Sequence, residues 1–387
     1  MGLDDKLRIL TGEADVEVAD PFEPVRTGVQ AGAVCGRPDA FVTQAVGGGG
    51  TVRLLKVLQT SACCNNCAYC GNRVGRDTPR YSFTPDELAK AFIELHSSGR
   101  VDGLFLSSAV AGSAVRSMDR MIATVEILRR RYDYRGYVHL KILPGAETAQ
   151  IERAVRLANR VSVNMEAPTD RCLVRLTRRA QLQSVLEVMR RVRDIGARDG
   201  VRISHTTQFV VGPGGESDRD LLQRAAELYA DVGLTRAYYS AFRPVPDTPL
   251  EAYPPTPPIR QLRLYQADFL LRQYRLSVAE LPFGDDGSLP QNDDPKTAIA
   301  LLHPERFPVE VNSAEYEELV RVPGIGPVSA SRIVVRRAHR RLADARDLRD
   351  CGVVVRRAAP FVLVNGRRLP APPSLPGDAK ARQLSLF

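Results

Sequence analysis

The chain has 387 residues, 44% hydrophobic and 26% charged, with a net charge of +9. Those fractions exclude wholesale disorder and collagen-like repetition, and the length allows two or three domains of about 150 residues. No uninterrupted run of about 18 apolar residues occurs and the start lacks a signal peptide's apolar stretch, so a cytoplasmic protein without a membrane partner is expected.

Residues 1–50 read as an N-terminal extension closed by the glycine run 47–50. TVRLLKVLQT (51–60) reads as a strand feeding QTSACCNNCAYCGNR (59–73). Four of the seven cysteines, Cys63, Cys64, Cys67 and Cys70, crowd into eight residues there. In a reducing compartment such crowding points to a metal or redox site rather than to disulfides. Counting from Cys63 gives C-x3-C-x2-C, and from Cys64 C-x2-C-x2-C. A closed zinc site wants four ligands, normally two pairs, and no second Cys or His pair exists elsewhere. Three thiolates on one short loop suit a cubane iron–sulfur cluster, with one iron left open to a small molecule.

Beyond the loop, helical patterns at 85–98, 117–132, 148–158, 179–195 and 217–232 alternate with strand-like runs. Those runs are GLFLSS (103–108), YVHLKIL (137–143), RVSVNME (160–166), ISHTTQFVV (203–211) and RAYYSAF (236–242). The alternation predicts a parallel sheet, and periodicity alone does not separate a partial barrel from a doubly wound sheet. Polar residues share strand faces: His139 with Lys141, Ser162 with Asn164 and Glu166, and Ser204 with Thr206 and Gln208. Burying each without a partner costs roughly 1–3 kcal/mol, so a ligand-filled lumen explains them better than a dry core.

From residue 309 onward there are 14 Lys+Arg against 8 Asp+Glu, so +6 of the excess charge lies in the last fifth of the chain. A basic module of this kind points to a polyanionic partner. NSAEYEELVRVPGIGPVSASRIVVRRAH (312–339) predicts a helix capped by Asn312 or Ser313, a tight hairpin at Gly324 and Gly326, and a second helix. Hairpin amides and the second helix's N-terminus suit a phosphate. Ser329, Arg332 and Arg336 are further contact candidates, with Arg337 and Arg340 as nearby cations. A weaker copy at 347–362 places Gly352 at the bend and Arg356 after it. A Pro- and Gly-rich leash at 366–380 precedes QLSLF, residues 383–387.

The C-x3-C-x2-C loop at Cys63, Cys67 and Cys70, with Tyr69 before the last cysteine, resembles the radical S-adenosylmethionine (SAM) superfamily. RYSFTPDEL, DGLFLSSAV, YVHLKILPGA, RVSVNMEAP, RAYYSAFRPVP and ELVRVPGIGPVSASRIV further resemble one bacterial family of that superfamily, assigned to DNA modification or repair. Its members often stand beside a uracil-DNA-glycosylase-like partner. The resemblance implies an α/β fold: a partial (β/α)6 TIM-like barrel over 51–255 and a helical connecting segment over 256–308. It also implies a small all-α, tandem helix-hairpin-helix DNA-binding domain over 309–365 and a tail over 366–387.

It further implies a [4Fe-4S] cluster on Cys63, Cys67 and Cys70, with Cys64 a bystander, and a bound S-adenosyl-L-methionine. Tyr69, Ser107, Ser108, His139, Lys141, Asn164, Glu166, Gln208 and Gly212 are then the cofactor-binding candidates. Ser107 and Ser108 stand where the superfamily usually has Gly-Gly-Glu, and Asn164 with Glu166 resembles its ribose-binding pair. An electron from a flavodoxin or ferredoxin would cleave SAM to a 5′-deoxyadenosyl radical acting on DNA. A base in a duplex would first have to leave the stack. Tyr238 and Tyr239 are catalytic candidates or core aromatics, and Arg243 is a phosphate-contact candidate. QLSLF resembles the peptide that grips the bacterial sliding clamp, with Gln383 at the rim and Leu384, Leu386 and Phe387 in apolar subsites. Chemistry on RNA or a small molecule, and a non-catalytic iron–sulfur protein tethered to the clamp, remain the alternatives.

Overall fold

The structure, a computed structural model, describes residues 2–16, 42–47, 50–177 and 181–370. Gln383, Leu384, Leu386 and Phe387 lie outside the described residues. The described chain forms two compact units. One runs to Tyr265 and includes Asp286–Ser288; the other comprises Gln266–Asp285 and the chain from Leu289. The connecting segment expected at 256–308 is thus divided between them.

The first unit opens with α1 (Leu3–Gly12), then β1 (Val42–Gly47) and β2 (Gly50–Leu58). There follow α2 (Pro85–Ser97), β3 (Gly103–Ser107), α3 (Ala114–Arg130), β4 (Tyr137–Lys141), α4 (Thr148–Leu157) and β5 (Arg160–Ser162). Next come α5 (Asp170–Leu176), α6 (Leu182–Asp199), β6 (Ser204–Val211), α7 (Asp218–Asp231) and β7 (Arg236–Ala241). The helix α8 (Pro258–Tyr274) follows. Local chemistry sets several starts. Thr84 caps α2 in a capping box with Glu87, ahead of Pro85 at the first turn, and Ser113, Thr169 and Ser217 cap α3, α5 and α7.

The strands form one sheet in the order β1 to β7, with β2 to β7 parallel and β1 antiparallel at the edge. This is the six-stranded partial barrel that the resemblance implies. Register puts Lys56 beside Phe105, Phe105 beside His139, Lys141 beside Ser162, Ser162 beside Thr206, and Gln208 beside Tyr238. The alternation therefore sends the polar row to the lumen, while Leu55, Val57, Leu104, Leu106, Val138, Leu140, Val161 and Phe209 face the other way and are buried. RVSVNME is regular only over β5. It continues as a looser strand, in which Glu166 adopts a left-handed conformation (φ +62°) and both its backbone groups pair with β6.

The second unit holds α9 (Pro295–Leu302), β8 (Val309–Glu310), α10 (Tyr316–Leu319), α11 (Pro327–His339), α12 (Ala345–Asp350), α13 (Val355–Ala358), β9 (Val362–Val364) and β10 (Arg367–Arg368). The domain expected to be all-α thus also carries a three-stranded sheet, β10-β9-β8. Neither Asn312 nor Ser313 caps α10; Glu315 does, in a capping box with Glu318. The Asn312 side chain instead accepts from the Leu342 amide at 2.9 Å and donates to the Leu342 carbonyl at 3.0 Å. Leu319, Val322, Ile325, Ala330, Ile333, Leu348 and Val353 join the two hairpins in one apolar core. No helix among the described residues is long and apolar enough to cross a membrane.

His205 in β6 is 3% exposed, and neither ring nitrogen has a hydrogen-bond partner. Burial alone holds its pKa down, to about 4 against 6.5. The unfolded chain therefore binds the extra proton between pH 6.5 and 4, and stability falls as pH drops through that window. The melting temperature should decline from pH 7 to 4.5, and His205→Phe should flatten that decline; parallel wild-type and variant profiles would contradict the assignment.

Candidate active site and nucleic-acid interface

The loop between β2 and α2 has little regular structure of its own, so side chains must hold it. Arg80 does most of this. Its guanidinium donates to the carbonyls of Ser61, Arg73 and Arg76 at 3.2, 2.7 and 3.1 Å and to the Asn72 side chain at 3.2 Å. Ser61 is further paired with Tyr81 through backbone and hydroxyl. From the other side the C-terminal end of α5 closes on the loop: Ala68 donates to the Leu176 carbonyl at 2.7 Å, and Thr177 hydrogen-bonds the Cys67 thiol.

Within this frame the thiols separate into two sets. Cys63 and Cys70 each accept a backbone N–H, from Asn65 and Asn72, at 3.4 Å. Cys63, Cys67 and Cys70 lie close enough to act electrostatically on one another, and Glu166 acts on Cys67 and Cys70. The Cys64 thiol points instead to the Gly112 carbonyl at 3.7 Å, and its amide donates to Val110. Burial pushes Cys67 up to about 11 and Cys70 up to about 12. Without metal both are protonated at neutral pH, and loading must release protons. Among the described residues no three His, Cys, Asp or Glu side chains converge on a single-ion site. Three thiols close enough to act on one another, two already accepting N–H bonds, fit a polynuclear iron–sulfur cluster instead.

The lumen candidates gather below this loop. His139 is buried, meets the Ser162 hydroxyl at 2.9 Å and packs edge-on against Phe105 at 4.3 Å. Burial, with the positive charges of Arg160 and Lys141, holds its pKa well below 6.5 and keeps the ring neutral. Asn164 donates to Glu166 at 3.1 Å, joining the two residues expected to act as a pair. Gln208 and Lys141 are buried, and Tyr69 is half-buried. At the end of β3 the Ser107 carbonyl is taken by the Gln59 amide, and the Ser108 hydroxyl donates to the Ala109 carbonyl.

The loop after β6 is built around Gly212 (φ +116°), where an added Cβ would lie 2.1 Å from the Thr256 hydroxyl. The Gly212 amide donates to the buried Glu216 carboxylate, and Arg260 donates to Asp218 at 2.7 Å and to the Glu216 carbonyl at 2.8 Å. Burial raises the Glu216 pKa against the pull of that amide. The two tyrosines separate. Tyr238 faces the lumen, where Arg160 donates to its hydroxyl at 3.3 Å. Tyr239 is fully buried on the opposite face, stacked on Phe209 and edge-on to Tyr265 at 5.3 Å, which makes it a core aromatic. Arg243 is exposed.

In the second unit both hairpins turn on left-handed glycines, Gly324 (φ +83°) and Gly352 (φ +84°). They grip each other reciprocally: Val354 donates to the Gly324 carbonyl at 2.9 Å, and Ser329 to the Gly352 carbonyl at 2.8 Å. Ser329 is buried in that contact. Arg336 is paired with Asp347 at 2.6 Å and Asp350 at 3.4 Å, and Arg337 donates to the Val311 carbonyl. Gly326 opens α11, and Arg332, Arg340 and Arg356 are the exposed cations of the expected set. Sequence reasoning missed Arg80, Thr177, Glu216 and α5. A glutamate four residues after Gly212 was the one available signal, because contacts across 20 or more residues leave no local pattern.

Comparison with known families matches residues 57–228 to the radical SAM superfamily and residues 306–352 to a helix-hairpin-helix motif. No curated protein matches. Among solved structures, methylornithine synthase is 14% identical, with a TM-score of 0.45, 54% of this chain and 59% of that one being covered. An FeFe-hydrogenase maturase from Carboxydothermus hydrogenoformans is 13% identical (TM-score 0.46; 55% and 50% covered). A radical SAM methyltransferase from Sphaerobacter thermophilus is 16% identical (TM-score 0.43; 60% and 71% covered). The chain spans less than two thirds of the length of the first two. After anaerobic reconstitution, Cys63→Ser, Cys67→Ser and Cys70→Ser should each lose the iron–sulfur absorbance and Cys64→Ser should keep it; loss with Cys64→Ser and retention with Cys63→Ser would shift the ligand set by one residue. The match falls on the strands and the loop that bring these thiols together: the chain carries a radical SAM domain, joined to a helix-hairpin-helix motif.

Proposed function

We propose that the protein is a radical SAM enzyme acting on DNA, as base modification or repair. The observation that carries this reading is the union, in one chain, of a three-thiol loop above a polar half-barrel lumen and a pair of phosphate-type hairpins with exposed arginines. Cys63, Cys67 and Cys70 would hold a [4Fe-4S] cluster, which with S-adenosyl-L-methionine supplies one-electron chemistry that begins with hydrogen abstraction.

The chain's own part is to bind, orient and exclude water. Glu166 and Asn164 stand together for ribose hydroxyls, and the Gly212 loop, its amide and carbonyl engaged by Glu216 and Gly215, would flank the adenine. His139 and Lys141 line the lumen wall, with neutral His139 able to donate or accept at one ring nitrogen while the other meets Ser162. With the Ser107 carbonyl and the Ser108 hydroxyl both engaged internally, the task of gripping the methionine end shifts toward other lumen groups, such as Gln208 and Lys141. Of the two tyrosines, Tyr238 shares the lumen face and is the candidate to stack on a substrate base.

A flavodoxin or ferredoxin would supply electrons. The QLSLF terminus supports a sliding-clamp partner, a DNA substrate would go with a nucleoid location, and the family resemblance implies a uracil-DNA-glycosylase-like companion. The decisive experiment supplies the reduced, reconstituted protein with SAM and deuterated DNA, RNA or small-molecule mixtures. Deuterium should appear in 5′-deoxyadenosine from DNA. Transfer from RNA or a small molecule alone, or no 5′-deoxyadenosine with DNA present, would contradict the proposal.

A further inference from the structure

The hairpin motif matches residues 306–352, yet the helix that binds both hairpins together, α9, lies before it. Asp294 caps α9 through the Thr297 amide and hydroxyl, and also pairs with Arg357 of α13, in the second hairpin. Two residues on, Lys296 is only 8% exposed and donates to the carbonyl of Ile325, inside the first hairpin. Its ammonium also sits 4.5 Å from the centre of the Tyr274 ring. A cavity of about 230 Å³ lies among these groups, lined by Lys296, Tyr274, Asp294, Arg357 and the glycines of both hairpins.

We infer that α9 is a clip that fixes the spacing of the two hairpins, and that Lys296 and Asp294 are positioning residues for binding of duplex DNA. This rests on the DNA reading above. The hairpins meet directly at the glycine carbonyls, through Val354 to Gly324 and Ser329 to Gly352, between α11 and α12 through the pairs of Arg336 with Asp347 and Asp350, and in a shared apolar core. Lys296 and Asp294 add a line of attachment from outside the pair, one to each hairpin, on the side of the Ile325 carbonyl and the Arg357 guanidinium. Engaging Ile325's carbonyl from beneath also fixes the peptide plane it shares with the Gly326 amide, which precedes α11. Two phosphate sites held at a fixed separation bind one duplex with an effective concentration that a loosened pair loses. Lys296 itself is too buried to meet a phosphate.

The test uses the full-length protein and a 25-base-pair duplex of mixed sequence, of about that length so that both hairpins engage. Lys296→Met keeps the apolar stem and removes the donor. Asp294→Asn keeps the helix cap and removes the charge. Each variant should bind the duplex about tenfold more weakly, because the hairpins no longer act together. The slope of log affinity against log salt should stay at the wild-type value, since no phosphate contact is deleted. Hydrogen exchange at residues 322–328 should accelerate in Lys296→Met, and at 352–358 in Asp294→Asn. Wild-type affinity in both variants overturns the clip. So does a salt slope reduced by about one, which would mark a direct phosphate contact. Should the wild-type protein fail to bind the duplex, the DNA reading falls, and unchanged exchange at the hairpins would separately remove the clip.

Discussion

Three thiols can serve one cluster only if the loop that carries them is held from outside, because such a loop has no helix or strand to stiffen it. Here one guanidinium supplies most of the holding. Arg80 reaches carbonyls on both sides of the cysteines, at Ser61 and at Arg73 and Arg76, so it closes the loop as a ring around itself. The C-terminal end of α5 closes the other side through Leu176 and Thr177. With the backbone so fixed, the amides of Asn65 and Asn72 are free to point at sulfur, and Cys64 is turned away toward Gly112. Hydrogen bonds to the sulfurs are among the levers that set a cluster's potential. The rest of the first unit can be seen as what places the lumen row of His139, Lys141, Asn164, Glu166 and Gln208 beneath that loop.

Much of this was legible in the sequence, because the relevant periods are short. Alternating polar residues in β4, β5 and β6 marked the lumen face, and cysteine spacing marked the loop. Where the period is 2, parity decides: Tyr238 and Tyr239 differ by one position and fall on opposite faces, a distinction hidden until the register of β7 against β6 is known. Arg80 stands ten residues beyond Cys70 with no motif around it, and α5 is only seven residues long, folded into the stretch between a strand and a longer helix. Asn312 reads as a helix cap by residue type, but the contact it makes is with Leu342, 30 residues on, and Glu315 with Glu318 forms the local box instead.

The charge on the C-terminal part of the chain also takes a different meaning once folded. Arg336 and Arg337, adjacent in sequence and cationic in any count, are spent internally on Asp347, Asp350 and the Val311 carbonyl. The exposed Arg336–Asp350 pair contributes little stability, whereas Asp347 is buried and its carboxylate also accepts the Ala343 amide. Arg332, Arg340 and Arg356 are exposed, Arg332 standing beside Gly352 and Arg340 lying 3.8 Å from Asp347. Positive charge held at a surface by two rigid turns gives orientation as well as attraction.

We propose that one chain couples radical SAM chemistry to a duplex held by paired hairpins. The rate at which the reduced, cluster-loaded protein forms 5′-deoxyadenosine with and without duplex DNA reads this coupling. A Gly324→Ala variant serves as comparison, since its added Cβ would lie 2.6 Å from the Val354 carbonyl and so disrupt the hairpin contact alone. Duplex DNA should accelerate the wild-type protein and leave the variant at its basal rate. Equal rates with and without DNA in the wild-type protein, or equal acceleration in both proteins, would contradict it.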